Sequence, residues 1–233
     1  MNDRTALVTG ANKGIGHHIA RLLVAEGFTV HVAARDPELG RRAAEEIGGR
    51  PLVLDVTDPG TIADAAARID RLDVLVNNAG IAPSMAPPAG TDLDELRRTF
   101  ETNVFGVVAV TNAFLPALRG SAHPRIVNVS SGTASLTWST NPNPQFAPGH
   151  GGAAAYRSSK AALNALTVFY ALTLDGFKVN ALAPGLRSTD LTARAAAGGD
   201  PAEAAEGAVR LALLPDDGPT GGFFSWDGSP VPW

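Results

Sequence analysis

The chain has 233 residues, with 19 Lys+Arg against 23 Asp+Glu, 45% hydrophobic and 18% charged residues, and no cysteine. This is the composition of a globular domain rather than a disordered chain, and the length suits one α/β domain. A net charge of −4 offers no global field for nucleic acid or an anionic membrane, and the missing cysteines remove disulfides, thiolate nucleophiles and Cys-based metal sites.

The histidines at 17, 18, 31, 123 and 150 show no ligand-pair spacing, so no metal site is expected. The stretch MNDRTALVTG reads straight into a strand without a leader pattern, and no apolar run approaches the ~20 residues needed to cross a bilayer. Both readings predict a cytoplasmic protein.

Short apolar runs alternate with longer amphipathic stretches. Strands are predicted over 6–9, 29–34, 52–54, 74–77, 125–129, 178–182 and 222–226, with helices near 15–26, 37–48, 59–69, 92–118, 153–174 and 201–214. Several strands are apolar on both faces, as strands covered on both sides of a parallel sheet must be. The alternation therefore predicts an α/β fold: a single-domain, doubly wound, seven-stranded parallel sheet over 1–233, with helices on both faces. Two segments break the rhythm. Residues 137–152 (TWSTNPNPQFAPGHGG) are too rich in Pro, Gly and Asn for a long helix or strand and read as an insertion. Residues 195–200 (AAAGGD) read as a flexible connection into a helix capped by Asp200, with Pro201 at its first position.

The first predicted strand ends in Thr9-Gly10-Ala11-Asn12-Lys13-Gly14-Ile15-Gly16, ahead of an amphipathic helix. Gly10 permits a tight turn, Gly14 lets backbone approach a pyrophosphate, and Gly16 allows close helix–strand packing. The free N–H groups at the helix start favour an anion. A glycine turn without a ligand is the plainer alternative. Asp55-Val56, just past the third strand, is placed to meet an adenine amino group, although Asp55 could equally cap the next helix. Tyr156 and Lys160 stand four apart at the start of a predicted helix, one turn apart on one face. A phenol with a pKa near 10 is a poor base at neutral pH. A neighbouring ammonium, helped by an oxidised nicotinamide, favours the phenolate. Alone, the pair is a common coincidence. Ser130-Ser131 follow the fifth strand, where a hydroxyl either holds a substrate carbonyl or merely forms a turn. Asn103 falls mid-helix, where its propensity is poor, so it either has a task such as holding a water or is a plain polar position.

Thr9 to Gly16, Asn77-Asn78-Ala79-Gly80, Asn103, Ser131, Tyr156 with Lys160, and Pro184-Gly185, in this chain order, resemble the short-chain dehydrogenase/reductase family over essentially the whole chain. The resemblance implies a Rossmann-type NAD(P)-binding domain. In it Tyr156 would donate the proton in carbonyl reduction and act as base in alcohol oxidation, while Ser131 would orient the carbonyl. Lys160 would hold the nicotinamide ribose and lower the tyrosine pKa, and Asn103 would anchor the water of a proton relay. The glycine loop, Gly10 and Asn12 to Gly16, would hold the pyrophosphate. Asn78, Ala79 and Gly80 would lie beside the adenosine, and Pro184, Gly185 and Thr189 near the nicotinamide. The cofactor would carry the hydride while the protein orients it and handles the proton.

The Asn12-Lys13 pair and the stretches 34–36 and 211–215 are most similar to the carbonyl-reductase branch. That implies NADPH-dependent reduction of an aldehyde, ketone or quinone, with NADH the poorer coenzyme. NAD-specific sites place an acid where this chain has Ala34; Arg35, with Lys13 and Asn12 opposite, suits a 2′-phosphate instead, provided Asp36 turns away to cap the next helix. The alternatives are an NAD-dependent alcohol dehydrogenase of the same fold and an inactive nucleotide-binding sensor, which would have no use for the Asn–Ser–Tyr–Lys set. The partners implied are a small-molecule carbonyl or alcohol, with no nucleic acid, membrane or metal. Family members associate through helices near 103–118 and 153–174. The insertion enters just before the second of these, which predicts a monomer or dimer rather than a tetramer. Trp226 is expected to pack, and Trp138 is a candidate to touch substrate; His17-His18 are expected to be surface or packing residues, and Arg41-Arg42 a solvated helix face.

Overall fold

The computed structural model describes residues 4–140, 152–192 and 197–233. Its seven strands are β1 (Thr5–Thr9), β2 (Thr29–Ala34), β3 (Arg50–Val53), β4 (Val74–Asn77), β5 (Arg125–Val129), β6 (Lys178–Ala183) and β7 (Phe223–Ser225), in the sheet order β3-β2-β1-β4-β5-β6-β7. Every pairing is parallel. The chain winds outward from β1 to β3, then returns to β4 on the other side of β1 and winds out to β7. This is the predicted doubly wound fold, and the reversal between β1 and β4 opens a crevice at the carboxyl ends of the strands.

The helices are α1 (Gly14–Ala25), α2 (Pro37–Ile47), α3 (Pro59–Ala66), α4 (Leu93–Phe100), α5 (Gly106–Arg119), α6 (Leu136–Thr140), α7 (Ala154–Thr173) and α8 (Pro201–Ala212). Alternation along the central strands divides the core in two. Val8, Val76 and Val127 pack with Ile19 and Leu23 of α1 and Ala205 and Ala208 of α8. Their neighbours Leu7, Leu75 and Ile126 face the opposite way, against Ile62 of α3 and Val110 and Phe114 of α5. β4 and β5 are buried along their full length, as strands covered on both faces must be.

Departures from the predicted elements have local causes. β3 covers 50–53 rather than 52–54; it is an edge strand, where Pro51 costs no ladder hydrogen bond. The helix predicted over 92–118 is interrupted: α4 ends at Phe100, Glu101–Phe105 form a π turn, and α5 resumes at Gly106. Such bulges are frequent at functional sites, and this one carries Asn103. Within the 137–152 stretch, 137–140 belong to α6, while 141–151 lie outside the described residues, as do 193–196 of the later connection. Asp36, Asp58, Asp92 and Asp200 cap α2, α3, α4 and α8 with their carboxylates. Asp58, not Asp55, is thus the cap of α3. Arg41 and Arg42 lie on a solvated face of α2 and pair with Glu38, Arg41 also with Glu45.

Candidate active site

The crevice begins at the glycine loop. Gly10 and Gly14 have φ of +62° and +59°, a region L side chains rarely adopt. A Cβ on Gly16 would stand 2.3 Å from Asn78 Nδ2 and 2.7 Å from the Gly10 carbonyl oxygen, so only glycine lets α1 come this close. Unlike the four Asp-capped helices, α1 opens behind Lys13 with no side-chain cap and no acid in its first turn. Its first N–H groups therefore remain available to an anion, which is what a dinucleotide pyrophosphate needs.

The loop is tied to β4 through Thr9. The Thr9 hydroxyl accepts from the amides of Asn78 and Ala79, each at 3.0 Å, and Asn78 Nδ2 donates to the carbonyls of Thr9 (2.9 Å) and Gly10 (3.2 Å). This hub was not legible as such, because a threonine at a strand end reads simply as a β-former. Asp55 Oδ1 accepts from the amide (2.9 Å) and hydroxyl (2.8 Å) of Thr57, which fixes the carboxylate beyond β3. Val56 packs where a Cβ on Gly106 would sit, 3.0 Å from its own Cβ.

On the catalytic side the two serines separate. Ser130 is buried, donating to Asn164 Oδ1 at 2.6 Å. Ser131 instead turns toward Tyr156, and its hydrogen bond opposes the upward push that burial exerts on the phenol pKa. Lys160 is only 4% exposed; its Nζ donates to the Val129 carbonyl at 2.7 Å and lies 5.9 Å from the centroid of the Tyr156 ring. Burial lowers the lysine pKa to about 8. Asn103 spends both amide protons on protein partners, the Ile81 carbonyl (2.9 Å) and Ser159 Oγ (3.0 Å), while its Oδ1 accepts from the Ile81 amide at 2.9 Å. Its side chain is therefore a brace between the loop after β4 and α7, which the relay-water expectation did not anticipate. Ser159, the other half of that brace, carries no signal beyond its place beside Lys160. Gly80 closes the run after β4: a Cβ there would stand 3.2 Å from Asn103 Oδ1 and 3.4 Å from Lys160 Nζ.

The loop after β6 forms the far wall. Arg187 is 6% exposed; its Nε donates to the Pro184 carbonyl at 2.6 Å, it pairs with Glu203, and its guanidinium lies 4.3 Å from the Trp226 ring centroid. Gly185 has φ +72° at the turn. Thr189 Cγ2 lies 3.4 Å from where a Gly14 Cβ would be, so this loop touches the glycine loop directly. That contact brings Asp190 within 3.0 Å of Lys13 Nζ, so Lys13, expected beside a 2′-phosphate, also carries an exposed ion pair. Arg35 stands exposed at the end of β2 with no ion-pair partner among the described residues, and Asp36 turns away to accept from the amides of Glu38 (2.9 Å) and Leu39 (3.0 Å). Trp138, a candidate substrate contact, packs against the cluster of Ala181, Ala183, Phe223 and Val231. Among the described residues no group of acids and histidines could hold a metal, and no helix is long and apolar enough to cross a membrane.

The family model for short chain dehydrogenases matches residues 4–199. Salutaridine reductase of Papaver bracteatum is 35% identical over an alignment covering 95% of this chain and 94% of that protein. (-)-Isopiperitenone reductase of Mentha piperita is 33% identical, over 97% of each. The structure of NADPH-bound carbonyl reductase from chicken fatty liver superposes with a TM-score of 0.84 at 30% identity, covering 100% of both chains. Likeness from end to end, in sequence as in fold, makes this chain an oxidoreductase enzyme belonging to the short-chain dehydrogenase family.

Proposed function

We propose that the chain reduces an aldehyde, ketone or quinone carbonyl to an alcohol with NADPH. The observation that carries this reading is the meeting of Ser131, Tyr156 and a buried Lys160 at the crevice that the uncapped start of α1 also faces. NADPH supplies the hydride. Tyr156 gives its phenolic proton to the carbonyl oxygen, Ser131 donates a hydrogen bond that orients that oxygen, and the Lys160 ammonium favours the phenolate left behind. Asn103 holds the Gly80-Ile81 backbone against α7, and its remaining acceptor capacity is the place for a relay water. Gly10 and Asn12 to Gly16 cradle the pyrophosphate. Asp55 and Val56 meet the adenine, Asn78 to Gly80 line the adenosine, and Pro184, Gly185 and Thr189 border the nicotinamide. The test is a panel of aldehydes, ketones and quinones followed by NADPH absorbance. Several should be turned over; a protein that binds NADPH yet oxidises it with none of them, while oxidising alcohols with NAD, would establish the dehydrogenase alternative.

The same reading includes a monomer or dimer. Phe105 (56% exposed) adjoins α5, and Phe169 (59%) and Leu172 (74%) lie on the outer side of α7, apolar surface that suits burial against a second copy. Light scattering at micromolar concentration should return one or two chains per particle, and a stable tetramer would refute this.

A further inference from the structure

Thr133 follows Ser131 by two residues, in the short 3-10 turn Gly132–Ala134, and its hydroxyl lies 2.8 Å from the Ser131 hydroxyl. Its amide points at the same oxygen, at 3.3 Å. The Thr133 carbonyl accepts from Arg157 Nε at 3.2 Å, and Arg157 Nη2 donates to Ser139 Oγ at 2.8 Å. Arg157 is the residue next to Tyr156. A closed ring of contacts thus runs from the phenol to Ser131, on to Thr133, across to Arg157 and back to Tyr156 along α7. The position of Thr133 is set by the same helix that sets the phenol.

A serine hydroxyl has one proton and two acceptor sites. Were Ser131 to give its proton to Thr133, nothing would remain to donate toward a carbonyl oxygen or a phenolate. With Thr133 as donor, the O–H and N–H of Thr133 fill both acceptor sites of Ser131, and the serine proton is directed outward into the site.

We propose that Thr133 is a positioning residue for carbonyl reduction: its hydroxyl donates to Ser131 and so fixes the direction of the serine's single proton. The proposal rests on the reading of Ser131 and Tyr156 as the residues that meet the carbonyl. Thr133→Val keeps the shape and removes the donor. It should lower kcat about 3- to 10-fold, the size of one net hydrogen bond, with KM for NADPH unchanged. In alcohol oxidation the pH at half-maximal rate should rise, because the phenolate loses part of its stabilisation. Thr133→Ser should restore both. In a Ser131→Ala background, Thr133→Val should cost nothing further, since its effect passes through Ser131. A wild-type kcat and pH profile in Thr133→Val, or the same loss with and without Ser131, would overturn the proposal. If Ser131→Ala is inactive while Thr133→Val behaves as wild type, only the part of Thr133 fails. Full activity in Ser131→Ala would overturn the underlying reading as well.

Discussion

Replacing Tyr156 with phenylalanine is expected to lower kcat for carbonyl reduction by about 10²–10⁴, the range general acid catalysis supplies, while NADPH affinity stays nearly unchanged. The substitution removes one hydroxyl and leaves the ring in place beside Lys160, so the helix and the cofactor cradle keep their packing. The measurement is single-turnover reduction, where chemistry is isolated from product release; a near-wild-type rate constant there would remove Tyr156 from the reaction.

The pH dependence separates the functional titration from unfolding. Burial raises the Tyr156 pKa, so the phenol keeps its proton throughout the neutral range. Burial lowers Lys160 from the ordinary 10.5 to about 8, so the ammonium that favours the phenolate is lost above that pH. Accordingly kcat/KM for NADPH, which reports the free enzyme, should be flat to about pH 8 and fall beyond it. Stability moves the other way. Between about 8 and 10.5 the unfolded lysine binds a proton that the folded one does not, so this group makes stability rise with pH. A melting temperature that holds while activity falls would assign the alkaline limb to the site; a parallel fall of both would refute that assignment.

The fold was legible because the signals that specify it are local and repeated. β1, β4 and β5 are apolar on both faces, and Asp-Pro pairs at 36–37 and 200–201 mark helix starts with a carboxylate acceptor followed by a residue that has no N–H to satisfy; the same signal at 58–59 was passed over in favour of Asp55. The candidate site was readable only where chemistry dictates residue type: a phenol, an ammonium four residues on, and glycines under a helix start. What was not legible depends on packing between distant segments. Nothing near Asn103 announces that Ile81 and Ser159 will consume its amide protons, nor that a π turn will set its direction. The Lys13–Asp190 pair spans 177 residues and exists because Thr189 comes to rest against Gly14. Trp138 is a further case: nothing in its irregular stretch announces that it packs against Phe223 and Val231.

The second large effect expected is on coenzyme choice. NADPH should exceed NADH in kcat/KM by well over tenfold, which requires only about 1.4 kcal/mol of differential binding. Ala34 at the end of β2 supplies no carboxylate for the ribose hydroxyls, and the acid two residues on, Asp36, is turned away and committed to the α2 amides. Arg35 is exposed at that same strand end, and its planar guanidinium can pair a 2′-phosphate through two hydrogen bonds. Lys13 is differently placed. Its partner Asp190 is 77% exposed and Lys13 itself 64%, and an exposed pair of this kind contributes about 0–1 kcal/mol, too little to withhold the ammonium from a dianionic phosphate. The two cations therefore rank. Arg35→Ala should erase most of the preference by weakening NADPH alone, with NADH kinetics untouched, and the loss should be larger at low salt than at high. Lys13→Ala should erase less, because releasing Asp190 offsets part of what Lys13 gives to the phosphate. Equal use of both coenzymes by the unmutated enzyme, or an Arg35→Ala variant with its preference intact, would show that discrimination lies elsewhere on the chain.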